Sequence, residues 1–189
     1  AAGIHFTAKA LFQHQTVQSL AVVARQGEGA VVLDQSALTG ELALLPIQQA
    51  FFADQIPQRH HWNQSVVLRP HQPLQPAVLG AALQALIVHH DALRSAFVHG
   101  ASGWSAAYRD AAQHQAEQVL WHVQVHDTEA LAALGEQAQS SLDLGTGPLL
   151  RVLLADLADG SQRLLLVIHH LVVDGVSWRI LLEDLQTAY

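Results

Sequence analysis

Cysteine and methionine are both absent from the 189 residues. Without cysteine there is no disulfide, no thiolate metal site and no thiol nucleophile. Methionine is missing at position 1 as well, so the chain is expected to be a piece of a longer protein. Charge is sparse: 13% of residues are charged, nine Lys and Arg against sixteen Asp and Glu, for a formal net charge of -7. The basic residues form no cluster, which argues against nucleic acid and an anionic membrane surface as partners. No apolar run reaches bilayer-spanning length, and the N-terminus lacks the basic-then-apolar pattern of a signal peptide. The expected compartment is therefore the cytoplasm. Half of the residues are apolar, enough to bury a real core in a globular chain. The thirteen histidines are scattered. None has a paired ligand spacing with a third partner, so no metal site is expected.

Along the chain, residues 1–25 read as helical and apolar. Thr16 is placed to cap a short helix with Val17, Leu20, Ala21 and Ala24 on one face. Residues 26–40, "QGEGAVVLDQSALTG", hold three glycines without a period and read as a linker; residues 41–189 form the main domain. There, "LPIQQAFFADQI" predicts a helix opened by Pro46, and "WNQSVVLRP" a strand ending before Pro70. The clearest helix is "QPAVLGAALQALIVHHDAL", with Val78, Leu79, Ala82, Leu83, Leu86 and Ile87 on one face. "RSAFVHGASGWSAAYRD" reads as a hairpin around Ala101-Ser102-Gly103, and "QVLWHVQVHD" as a strand. Asp127 caps a helix to about Ser140, with Glu129 in its first turn. Two strands meeting at Asp159-Gly160 and a last helix, "GVSWRILLEDLQTAY", complete the order. Hairpins and crossovers mixed with helices indicate an α/β sandwich with a mixed sheet.

The stretch that points to chemistry is "LLLVIHHLVVDGVSW", residues 164–178. Strand alternation puts Leu164, Leu166, Ile168 and His170 on one face and Leu165, Val167 and His169 on the other. The two histidines therefore have different surroundings, one facing packing and one a cleft, but both faces are apolar and periodicity leaves open which is which. Asp174-Gly175 makes a turn, where glycine permits a positive φ or a close backbone approach. The next helix begins there, so its free N–H groups are expected to point back at the histidines and suit a developing oxyanion. A neutral imidazole is a natural proton acceptor near pH 7. The pattern suggests proton transfer next to a carbonyl; the competing reading is a hydrogen-bonded core histidine followed by an ordinary turn. Arg94 follows the long helix among apolar residues. It is either a surface arginine or the partner of a carboxylate, for which Asp174 is the candidate. His89 and His90 end a helix, where cations suit the dipole, and are read as that rather than as ligands. His61, His71 and His126 are left as solvated or hydrogen-bonded residues.

These residues resemble a known family. "HHLVVDG" at 169–175 is similar to the HHxxxDG motif of the condensation-type domains of nonribosomal peptide synthetases. "LPIQQAFF", "WNQSVVL" and "HHDALRSAF" resemble three further segments of those domains in order and spacing, with His89 where arginine is usual. "WNQS" and "DGVSWRILLEDL" resemble the epimerization branch, whereas condensation domains more often carry "DGWS". Residues 1–25, with "LFQHQTVQSLA", are similar to the last helix of a peptidyl carrier domain. The resemblance implies a chloramphenicol-acetyltransferase-like lobe, one of two in a complete domain. It implies that His170 faces the cleft and moves a proton, that His169 is structural, and that Asp174 and Arg94 hold the loop, with Gly175 and Ser177 completing the motif. It also implies an aminoacyl or peptidyl thioester on the 4'-phosphopantetheine of a carrier domain as substrate, other synthetase domains as partners, and no cofactor bound by this chain.

The departures are equally specific. The family's second catalytic residue is a glutamate in an "EGHGRE" motif of the C-terminal half, and no such motif occurs here. Glu183 is no substitute, lying two turns into the final helix. The chain is thus expected to hold half of an active site and to be inactive alone. Two other functions stay open: a condensation domain in which His170 serves an attacking amine, and a non-catalytic module that only docks a carrier.

Overall fold

The computed structural model describes residues 4–26, 36–113 and 115–189. The chain divides into two compact units, Ala1–Gln35 and Ser36–Tyr189. In the first, β1 (Ile4–His5) pairs antiparallel with β2 (Arg25–Gln26), and α1 (Ala8–Gln13) and α2 (Val17–Val23) lie between them in sequence. Thr16 caps α2 as its position predicts, in a reciprocal capping box with Ser19. The helical character expected of residues 1–25 is found in two short helices, and the described ends of the segment are two strand pieces, Ile4–His5 and Arg25–Gln26. Of the expected linker, residues 27–35 lie outside the described residues.

The second unit carries two sheets. β3 (Gly40–Leu42), β6 (Gly103–Tyr108) and β5 (Ser95–Gly100) form a three-stranded antiparallel sheet in the order β3-β6-β5. The hairpin β5–β6 turns where the sequence places it, and Gly103 takes a φ of 104° there, a left-handed value that glycine adopts without strain. The four-stranded sheet has the order β4 (Asn63–Leu68), β9 (Gln162–His169), β8 (Leu150–Leu157), β7 (Leu120–Val125). Its β7–β8 pair is parallel and the other two pairs are antiparallel, so the sheet is mixed. The segment read as one strand from Gln118 begins instead with a short helix, α5 (Ala116–Val119), which buries Ala116 and Val119.

Helices cover both faces of the four-stranded sheet. On one side α4 (Pro76–His89) and α7 (Gly175–Ala188) bury Leu79, Leu83, Leu86, Leu181 and Leu185 against Val152, Leu154, Leu164, Leu166 and Ile168. Val78, expected on the inner stripe of α4, is exposed; the five other residues of that stripe are buried. On the opposite side α6 (Thr128–Ser140) places Ala138 with Val167 and Leu142. Alternation along β9 is thus real, with Leu164, Leu166 and Ile168 toward α4 and α7 and Leu165 and Val167 toward α6. A second core sits around α3 (Pro46–Ala53): Phe52 stacks on Trp104, with ring centroids 4.1 Å apart, and packs with Phe97, Leu144 and Leu149.

Arg94 belongs to neither surface nor site. It is fully buried at the end of the 3₁₀ turn Asp91–Arg94, and its partner is Asp91, not Asp174. The guanidinium also donates to the carbonyls of Ile87 (2.7 Å), Val88 (2.9 Å), Leu38 (3.0 Å) and Arg109 (3.2 Å). It therefore satisfies two carbonyls at the open C-terminal end of α4 and ties them to the residues flanking β3 and β6. The expectation of a carboxylate partner holds, but that carboxylate is three residues away in sequence. Burying a guanidinium is tolerable only because the carboxylate and the carbonyls replace its water. Arg94→Ala takes the guanidinium donor from all of these acceptors and leaves the Asp91 Oδ1 with the Leu38 N–H (3.0 Å). Its expected cost in urea unfolding of the chain is about 3–5 kcal/mol; a loss under about 1 kcal/mol, the size of an exposed pair, would refute the brace.

Candidate active site

The site grows out of the end of β9. His169 is its last residue and pairs with Asn63 of β4. Its side chain is fully buried, edge-on to Phe51 of α3 with centroids 6.0 Å apart. The two ring nitrogens are both used: Nε2 donates to the carbonyl of Arg59 (2.8 Å), and Nδ1 accepts from the N–H of Leu171 (3.2 Å). Burial pushes this imidazole down to about 4, against the bond to Arg59, which acts the other way. His169 is thus a neutral structural residue holding the turn that follows it.

His170 is exposed. Its backbone N–H donates to the carbonyl of Trp62 (2.8 Å), which extends the β4–β9 pairing by one step. Its Nδ1 lies 2.8 Å from the carbonyl of Val173, and its Nε2 lies 3.3 Å from Nε2 of Gln64. The question left open by periodicity is settled by burial: His169 faces packing and His170 is the accessible ring.

The loop between them and α7 is tied at each residue. Val172 donates its N–H to the carbonyl of His169 (3.0 Å). Gln48, buried on α3, donates to the carbonyl of Leu171 (3.4 Å). Leu171 packs with the α3 core, and Val172 packs with both cores. Asp174 then caps α7, its Oδ1 accepting from the N–H of Val176 (3.1 Å), the N–H of Ser177 (2.8 Å) and the Ser177 hydroxyl (2.6 Å). The Ser177 hydroxyl and N–H, and then the N–H of Val176, hold the Asp174 carboxyl below the usual carboxylate range despite some desolvation.

Three expectations change here. The N–H groups of Val176 and Ser177 are already bonded to Asp174, so these two are not free to receive an oxyanion. Gly175 has no positive φ, and a Cβ built on it meets nothing within 4 Å; the first position of α7 needs no glycine for its own fold. Arg94 does not hold this loop. Two residues that sequence reasoning missed do meet His170: Gln64 directly, and Trp178 through Gln64, whose Oε1 accepts from the Trp178 indole at 2.9 Å. The available signal was alternation in β4. Gln64, Val66 and Leu68 share the half-buried positions, and a glutamine there needs a polar partner.

Among the described residues one group could hold a metal ion, His89, His90 and Asp184, with ligand atoms within 4.8 Å of one another. His90 already bonds Asp184 through Nε2 at 2.8 Å, joining the end of α4 to α7. No helix of the described residues is long and apolar enough to cross a membrane.

Proteins of known kind resemble this chain. The family model described as "Condensation domain" matches residues 39–189; the chain belongs to the condensation-domain family of nonribosomal peptide synthetases. It is similar to a linear gramicidin synthase polypeptide of Brevibacillus parabrevis, 47% identical over 100% of this chain and 4% of that protein. It is 44% identical to surfactin synthase subunit 1 of Bacillus subtilis (strain 168), over 96% of this chain and 5% of that protein. Among solved structures it is similar to the epimerization domain from the third module of a tyrocidine synthetase, with a TM-score of 0.75 and 38% identity over 83% of this chain and 36% of that one. The chain therefore spans about a third of that solved domain, and the mixed sheet with its helices is the chloramphenicol-acetyltransferase-like α/β lobe that the sequence implied.

The His169 ring gives a pH dependence with a definite sign. The unfolded imidazole binds a proton near 6.5 and the folded one only near 4, so protons between those values favour the unfolded chain. This contribution is fully present above the higher value and is lost as pH falls toward the lower. Urea unfolding should show about 2 kcal/mol less stability at about pH 5 than at about pH 7.5 from this ring, and His169→Gln should remove that difference. An unchanged pH dependence in the variant would contradict the assignment.

Proposed function

We propose that the chain supplies the histidine half of an epimerization site, acting on an L-aminoacyl or peptidyl thioester carried on the phosphopantetheine of a carrier domain. The observation that carries this reading is the split between the two histidines: one imidazole is buried and saturated, and the other is exposed on a turn fixed at every residue. The Cα–H of a thioester is acidified by the carbonyl beside it. His170 takes that proton, the C–H electron pair passes into an enolate, and a proton returned to the opposite face gives the D isomer. Return on the opposite face needs a second acid. The family resemblance implies a glutamate of a C-terminal lobe for that role, and this chain has no such motif.

The epimerization branch is favoured over peptide-bond formation by "DGVSW", where the tryptophan stands four residues after Asp174, and by the likeness to the solved epimerization domain. The carrier-like character of residues 1–25 fits a carrier domain as substrate donor and other synthetase domains as partners. Neither the substrate chemistry nor the residues around His170 call for a metal or nucleotide. Condensation is the second reading, supported by the family model itself; there His170 serves an attacking amine.

The test uses the complete synthetase module that carries this sequence, loaded with an L-aminoacyl thioester in deuterated water. Deuterium at Cα and a rising D/L ratio are expected, and His170→Ala should slow both by about 10²–10⁴-fold. A loaded module that exchanges no α-proton but forms a peptide bond when offered an acceptor amine would move the assignment to condensation. The 189 residues alone should give no turnover; detectable epimerization by them would overturn the two-lobe reading.

A further inference from the structure

The contacts of His170 admit only one arrangement of hydrogens. The indole Nε1–H of Trp178 can only donate, and it meets Gln64 Oε1 at 2.9 Å. The carbonyl side of the Gln64 amide therefore faces Trp178, and its NH₂ faces His170. An amide NH₂ cannot accept, so the 3.3 Å contact between Gln64 Nε2 and His170 Nε2 requires a lone pair on the imidazole nitrogen. On the other side of the ring the Val173 carbonyl can only accept, so Nδ1 at 2.8 Å carries the hydrogen. One chain results: indole N–H to amide oxygen, amide N–H to Nε2, and Nδ1–H to carbonyl. In His169 the assignment is reversed, since Nε2 donates to Arg59 and Nδ1 accepts from Leu171. Two adjacent histidines are held as opposite tautomers.

We propose that Gln64 and Trp178 are positioning residues that fix His170 as the Nδ1–H tautomer and so make Nε2 the nitrogen that receives the substrate proton. This rests on the proton-transfer reading of His170 given above. The same contacts make the amide a latch. When the Cα–H bond breaks and an Nε2–H bond forms, with the C–H pair left in the enolate, two N–H groups face each other across the Gln64–His170 contact. The amide must then swing away, or turn its oxygen to the imidazolium and set its NH₂ against the indole N–H. Trp178 opposes the second course, because its own donor would lose its acceptor. Its ring packs half-buried against the core shared by α4 and α7, so the indole cannot readily follow. Proton capture by His170 is thereby coupled to movement of the Gln64 side chain. Trp178 and Gln64 are 114 residues apart in sequence, and only the packing of α7 beside β4 brings them together.

Two measurements test this together. In the ¹⁵N-histidine-labelled chain, long-range proton–nitrogen correlation spectra, assigned with His170→Gln, report the tautomer of His170. The native ring should show a protonated Nδ1 and a bare Nε2. Trp178→Phe keeps the packing ring but removes the donor, and Gln64→Ala removes the amide; each should raise the share of the Nε2–H tautomer above its native level, with the Val173 carbonyl, 2.8 Å from Nδ1, left as the single remaining hold on the Nδ1–H form. Gln64→Glu, which can only accept, should draw a proton onto Nε2 at neutral pH. In the complete module, Trp178→Phe and Gln64→Ala should each lower kcat for α-proton exchange by about 10- to 100-fold, with KM little changed. A native ring carrying its hydrogen on Nε2 would overturn the proposal, as would a tautomer and kcat indifferent to both variants. If the tautomer shifts as stated but the native module exchanges no α-proton, the positioning role stands and the epimerization reading falls.

Discussion

The structure depends on one strand being paired on both edges. β9 runs between β4 and β8, so its backbone is fully committed and its register cannot slip without turning each side chain to the other face. That constraint makes adjacent residues unlike. Ile168 joins the α4 and α7 core, and His169 closes against α3 and the residues before β4. His170 then falls one position past the strand, where the packing stops and solvent begins. The chemistry assigned to the site needs a reachable imidazole on a rigid support, and a strand end in the middle of a sheet provides both.

The turn after the strand is stiff for reasons spread over the unit. His169 holds it from below, with Nδ1 on the Leu171 N–H and Nε2 anchored on the Arg59 carbonyl, Gln48 holds it from α3, and Val172 bridges the two cores. Asp174 ends it by capping α7, and in doing so occupies the N–H groups of Val176 and Ser177. A helix start can satisfy its donors internally or present them to a ligand, and here the motif aspartate takes the first course. Stabilisation of an enolate must therefore come from groups other than these amides. Arg94 contributes at a distance, by closing the end of α4 and joining it to the residues beside the smaller sheet.

Much of this is legible in the sequence. Proline and aspartate mark the starts of α3, α6 and α7 by local chemistry, and the apolar stripe of α4 identifies its buried face. The alternation in residues 164–170 separates the two histidines without ranking them; burial at the strand end supplies the ranking. What is not legible depends on contacts between distant segments. β3 is three residues long without a period, and it exists because Gly40 meets Tyr108 on β6. Of the two readings left open for Arg94, the carboxylate partner is the one found, but it is Asp91 and not Asp174, brought beside the guanidinium by the 3₁₀ turn. Gln64 reads as one polar residue in a strand until α7 brings Trp178 to it.

The central claim is that strand register makes His170 the accessible imidazole and His169 the enclosed one. Brief treatment of the folded chain with diethylpyrocarbonate, followed by peptide mass mapping, reads this residue by residue. Carbethoxylation should fall on His170 and spare His169 until denaturant is added, when both should react. Modification of His169 in the folded chain, with His170 spared, would show that the two rings are the other way round and that the site does not rest on the strand end as described.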